Sequence, residues 1–78
     1  MRNKENRLVI TFHSTTEAME AEKRLKELGV PGRLIPIPRQ LSAGCGLAWS
    51  APEREWENVI QSVGLIQLSF EKMAVVQI

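Results

Sequence analysis

The sequence predicts an α+β sandwich: one antiparallel four-stranded sheet with two helices on a single face, in the order β-α-β-β-α-β. Three observations lead there. Alternating apolar residues from Arg7 to His13 mark an N-terminal strand. Two Ser-x-x-Glu spacings, Ser14/Glu17 and Ser50/Glu53, mark helix starts. An apolar, β-prone tail, clearest from Met73 to Ile78, supplies the last strand.

Residues 1–6 read as a frayed lead-in. In the first strand Leu8, Ile10 and Phe12 share one face, and Val9, Thr11 and His13 the other. Both faces are fairly apolar, so this strand belongs at the sheet centre. Ser14 and Glu17 open a helix that runs to Leu28 and stops at Gly29. Its buried stripe is Ala18, Ala21, Leu25 and Leu28, with Met19 beside it, while Glu20–Arg24 and Glu22–Lys26 are expected ion pairs on the solvent side. Val30-Pro31-Gly32 is a turn, and Arg33 to Pro38 alternates again. Two prolines cannot donate to a ladder, which makes this an edge strand. Gly46 to Trp49 forms a short third strand. Ser50, Pro52 and Glu53 start the second helix, with Trp56, Val59, Ile60 and Val63 as its buried stripe and Gly64 as its end.

That order fits the ferredoxin-like sandwich, with spatial strand order 4-1-3-2. Strands one and two then run the same way. The exit of the first strand, the start of the first helix and the connection between strands two and three share one end of the sheet. His13, Ser14, Thr15 and Thr16 are thus expected at the end that holds Arg39 and Cys45, with His13 and Cys45 as neighbours.

Composition narrows the function classes. A chain of 78 residues with 44% apolar content makes one small domain, residues 1–78. A net charge of +1 supplies no field for nucleic acid or an anionic membrane. No apolar run approaches the roughly 18 residues of a membrane span. The single cysteine rules out an internal disulfide, and small secreted domains usually carry several, so a reducing cytoplasm is the expected compartment. One cysteine and one histidine fall short of a structural zinc site's ligand set, and no metal or cofactor is expected.

Cys45 lies between Gly44 and Gly46, which remove the Cβ atoms that would shield a sulfur. The N-terminus of the first helix, Arg39 and a protonated His13 would each favour a thiolate there. Such a thiol can take a persulfide, form a mixed disulfide or be oxidised. A domain this small lacks the cleft and oriented third group of a Cys-His hydrolase. Plainer readings stand beside each residue. Free cysteine is commonly a small buried hydrophobe. His13 at a strand end and Arg39 in a loop suit structural and solvated roles. Gly44 and Gly46 suit a tight turn, and Trp49 suits the core or a partner contact.

Three stretches carry a family resemblance: Thr11-Phe12-His13-Ser14-Thr15-Thr16, Gly32 to Arg39, and Leu41-Ser42-Ala43-Gly44-Cys45-Gly46-Leu47-Ala48-Trp49. Together they resemble a small bacterial family of selenium/sulfur (Se/S) carrier-like domains. The likeness spans nearly the whole chain, and Ser-Ala-Gly-Cys-Gly-Leu-Ala-Trp is its most specific part. It implies that Cys45 holds sulfur or selenium for transfer. After the tryptophan, where the family pattern often has a basic residue, this chain has Ser50. The expected activity is stoichiometric carriage rather than turnover. A cysteine desulfurase-like donor would load Cys45, and an acceptor protein would unload it. The alternative is a non-catalytic interaction or redox-regulatory module with a structural or oxidisable Cys45, and a homodimer suits such a sheet. A third reading has Cys45 and His13 as two metal ligands completed by a second subunit.

Overall fold

The computed structural model describes residues 4–41 and 45–78. Its elements are β1 (Asn6–Thr11), α1 (Thr15–Glu27), β2 (Arg33–Pro36), β3 (Leu47–Pro52), a 3-10 turn at Glu53–Glu55, α2 (Trp56–Ile66) and β4 (Lys72–Gln77). The strands form one antiparallel sheet in the order β2-β3-β1-β4, which is the ferredoxin-like order expected. β1 lies at the centre, paired with β3 and β4. The lead-in is shorter than expected. Asn6 opens β1, and Glu5 and Ile78 exchange two backbone hydrogen bonds of 3.0 Å.

Both ends of α1 follow local rules. Ser14 is the extended N-cap, and its hydroxyl accepts the Glu17 N–H at 3.1 Å. At the other end Val30 N–H reaches Leu25 O and Gly29 N–H reaches Lys26 O, each at 3.0 Å. This paired closure needs a left-handed residue, and Gly29 supplies it with φ +76°. Ala18, Ala21 and Leu25 are buried, whereas Leu28 and Met19 remain exposed. Small alanines bring the helix close to the sheet, and Leu28 already sits in the cap. The expected Glu20–Arg24 and Glu22–Lys26 pairs do not close within 4.0 Å. Water competes well for such exposed ions.

The second helix departs from expectation at both ends. Ser50 is no N-cap; it lies inside β3, which runs on to Pro52 because β1 offers partners down to Arg7. Its hydroxyl, 1% exposed as a residue, takes a 2.8 Å bond from Arg7 Nε. Tertiary pairing overrode the capping pattern. α2 begins at Trp56 without a side-chain cap. The later start leaves Trp56 and Ile60 exposed and turns Val59, Ser62 and Val63 inward. The helix also passes Gly64. It closes on Gln67, left-handed at φ +51°, with Leu68 N–H bonded to Val63 O at 3.1 Å.

The main core lies between sheet and helices, where Leu8, Ile10, Phe12, Trp49 and Ala51 pack with Ala18, Ala21, Leu25, Val59 and Val63. Gly32 sits against the Trp49 indole so closely that a Cβ there would overlap the ring. The other sheet face has its own small cluster of Val9, Ala48 and Val76, flanked by Ile35, Ala74, Leu41 and Ile78. Leu41 comes from the connection between β2 and β3, residues 37–46, which acts as a strap. Gln40 of that strap donates from Nε2 to Gln77 O at 3.0 Å. Gln77 pairs with Asn6 at the start of β1, so the strap reaches across the sheet to its far corner.

Candidate functional site

The chain's one thiol sits where the strap rejoins the sheet. Ile37 N–H bonds Gly46 O at 3.0 Å, extending the β2–β3 ladder by one pair and forming the neck of the strap. Gly46 is left-handed at φ +72°, with open space where a Cβ would stand. Glycine adopts that backbone conformation without strain, whereas a side chain there would be strained. Gly44, together with Ser42 and Ala43, lies outside the described residues.

Cys45 is half-buried and packs against the main core. Its Sγ donates to Leu47 O at 3.3 Å and accepts the Leu47 N–H at 3.4 Å. The flanking glycines suggest an open sulfur, and the structure instead shows one held at strand entry with part of its surface covered.

The other expected residues separate into two groups. The β1–β3 register pairs Thr11 with Ala48, so His13, Ser14 and Thr15 lie at the sheet end where Cys45 enters β3. The His13 ring is engaged elsewhere. Its Nδ1 lies 2.9 Å from Glu17 Oε1, and its backbone N–H donates to the same oxygen at 2.8 Å. Ser14 is occupied as the N-cap, and Thr15 begins α1 exposed. Arg39 is carried the other way. It is exposed in the turn beside Gln40, whose amide reaches the opposite end of β4. The expected convergence of Arg39 with His13 is thus replaced by a strap that crosses the sheet. Trp49 is 1% exposed and belongs to the core, with Gly32 packed against its ring.

Glu17 organises this end of the molecule, a role its cap spacing only half revealed. Besides His13 it accepts the Ser69 hydroxyl at 2.6 Å, tying the start of α1 to the segment before β4. The Ser69 bond first, then the His13 backbone bond, hold its carboxyl below the usual range; the partial burial that opposes them is outweighed. Among the described residues, no three His, Cys, Asp or Glu side chains come together as metal ligands, and no helix is long and apolar enough to cross a membrane.

No curated protein and no solved structure matches the chain significantly. The family model described as "Putative Se/S carrier protein-like" matches residues 7–74, from the start of β1 into β4 and through Cys45. By that match over most of its length, the chain belongs to the Se/S carrier protein-like family.

Proposed function

We propose that this protein carries sulfur or selenium on Cys45 as a persulfide-type adduct and hands it to a partner protein. Family membership supports a generic Se/S-carrier role. The observation that carries the finer reading is that Cys45, the only thiol in the chain, stands at the neck of the strap inside the matched region. Loading balances without an external oxidant. The Cys45 thiolate attacks the outer sulfur of a donor persulfide, the donor's S–S bond breaks, a new S–S bond forms on Cys45, and the donor cysteine leaves as a thiolate. Unloading is the same exchange run onto an acceptor. The donor is a cysteine desulfurase-like protein and the compartment a reducing cytoplasm.

Incubating the protein with a cysteine desulfurase and cysteine should add the mass of one sulfur atom, and Cys45→Ala should abolish the addition. Wild-type protein that stays unmodified while an alkylating reagent labels Cys45 readily defeats the reading for that donor. A second reading has its own support. The two Leu47 contacts and the packing against the core suit a structural or oxidisable cysteine in an interaction module. An ordinary thiol titration near roughly pH 8.5 with slow labelling would favour that module.

A further inference from the structure

The two outer strands of the sheet, β2 and β4, are not alike. β2 spans four residues and ends on Pro36, with Pro38 two residues on. Ile37 bonds Gly46, so Arg33 and Ile35 turn their backbone groups to β3, and the outward ones belong to Leu34 and Pro36. Pro36 has no N–H, which leaves that edge a single donor, on Leu34. β4 spans six residues without a proline, and its one charged residue, Lys72, stands at its start. Glu5 and Ile78 exchange two bonds, so the alternation of the ladder turns the backbone groups of Met73, Val75 and Gln77 outward. The strap follows that parity, since the Gln40 amide takes the outward Gln77 carbonyl at 3.0 Å. Short length, proline and lysine are devices that blunt a sheet edge. β2 carries the first two, and the outward residues of β4 carry none.

Exposed apolar side chains flank the same edge. Val75 pairs with Leu8, so it points to the helix side, and it is exposed there. α2 runs antiparallel to β4, with Val59 and Val63 buried toward the sheet. A right-handed helix turns about 100° per residue, which puts Ile60, and Trp56 one turn before it, on the flank away from α1 and above β4. Both are exposed. We infer that β4 is a self-association edge, where two copies of this chain pair β4 to β4, antiparallel, about a twofold axis at Val75. In that register Val75 meets itself and Met73 meets Gln77 of the second copy, so every outward residue is paired. The Gln77 carbonyl accepts twice, once from Gln40 and once from Met73 of the second copy. A second copy suits this edge because twofold pairing sets one apolar flank against the same apolar flank. Lys72 comes opposite Ile78 of the second copy, so no like charges face each other, and a net charge of +1 adds little repulsion. The strip is about 20 Å long at the strand rise and about 15 Å deep for one helix over one strand, roughly 300 Å². That is under half of the roughly 800 Å² per partner in stable complexes, so the dimer is a reversible one that fills at high concentration.

The test follows the full-length protein from micromolar to millimolar concentration by sedimentation and by two-dimensional amide NMR. A monomer–dimer equilibrium is expected. As the dimer fills, the Met73, Val75 and Gln77 amides should shift and gain protection from hydrogen exchange, while the Leu34 amide should not. In a mixture of labelled and unlabelled protein, the α-protons of Ala74 and Val76, a close non-hydrogen-bonded pair across the axis, should show an intermolecular contact. Val75→Lys sets like charges face to face and should weaken dimerisation at least about fivefold. Ile60→Lys, on the helix surface and outside the strand, should weaken it in the same direction and carries the test if the strand variant fails to fold. Met19→Lys, an equal charge added at an exposed apolar residue of α1, should leave it unchanged. So should Cys45→Ser, which keeps this inference separate from sulfur carriage. A monomer throughout the range, shifts that fall on Leu34 or Met19, or undiminished association in the folded lysine variants of Val75 and Ile60 overturns the proposal.

Discussion

The two faces of the sheet are closed by unlike devices. On one side two helices bury a continuous core from Leu8 to Leu68. On the other a strap lays Leu41 over Val9, Ala48 and Val76, and one side-chain bond, Gln40 to Gln77, ties it at the far corner. Val9 and Ala48 are as fully covered as Leu8 and Ile10. Burial alone therefore says little about how firmly a face is held. Cys45 sits where the strap returns to the sheet, at the Ile37–Gly46 bond.

The largest effect should come from the helix face. Trp49→Ala removes the biggest fully buried side chain and opens a cavity beneath Gly32. A loss of about 3–5 kcal/mol is expected, comparable to the whole stability of a small domain. A urea midpoint at 25 °C near zero denaturant is the expected result. A shift of less than about 1 kcal/mol would mean that the core can refill the space, and the contrast between the faces would fail.

Leu41→Ala tests the strap. Leu41 is half-buried, so about 1–1.5 kcal/mol is expected, the low end for a large-to-small change. If the strap opens separately from the rest, alkylation of Cys45 should quicken by about tenfold, the equivalent of 1.4 kcal/mol, while the unfolding midpoint moves little. Equal changes in labelling and in global stability would show that the strap and core open as one unit. That outcome would merge the two faces energetically despite their different construction.

What the sequence made legible follows the same division. β1 was readable because alternation put apolar residues on both of its faces, and the Ser14 and Gly29 signals act through neighbouring backbone groups. Ser50/Glu53 has the same spacing as Ser14/Glu17, but Ser50 faces Arg7, a residue 43 positions away, and pairing with β1 prevailed. The strap was illegible for a related reason. A single Leu41 in a Pro- and Gly-containing connection carries no period, and only the surplus of apolar residues at Val9 and Ala48 hinted that the second face would be covered. The lone thiol between glycines was plain, whereas its hold on the Leu47 backbone depends on the turn at Gly46. Glu17 was visible as a cap and not as a partner of Ser69, 52 residues along.

The smallest effect should appear at Glu17, which links the first helix to the segment before β4 on the helix side. Its folded-state pKa lies below its unfolded value, ordinarily 4.5, so the ionised form favours the fold. That contribution is present in full above the unfolded value and is lost as pH falls through the folded one. Glu17→Gln should therefore lower stability near neutrality by a small amount, and the gap to wild type should close as pH drops below about 4.5 toward 2. Because Ser69 is the largest cause, Ser69→Ala should raise the Glu17 carboxyl pKa further than His13→Ala, which removes the ring but keeps the backbone N–H. Carbon-13 NMR titration of that carboxyl reads both shifts directly. A larger rise from His13→Ala would place the control in the imidazole rather than in the link to Ser69.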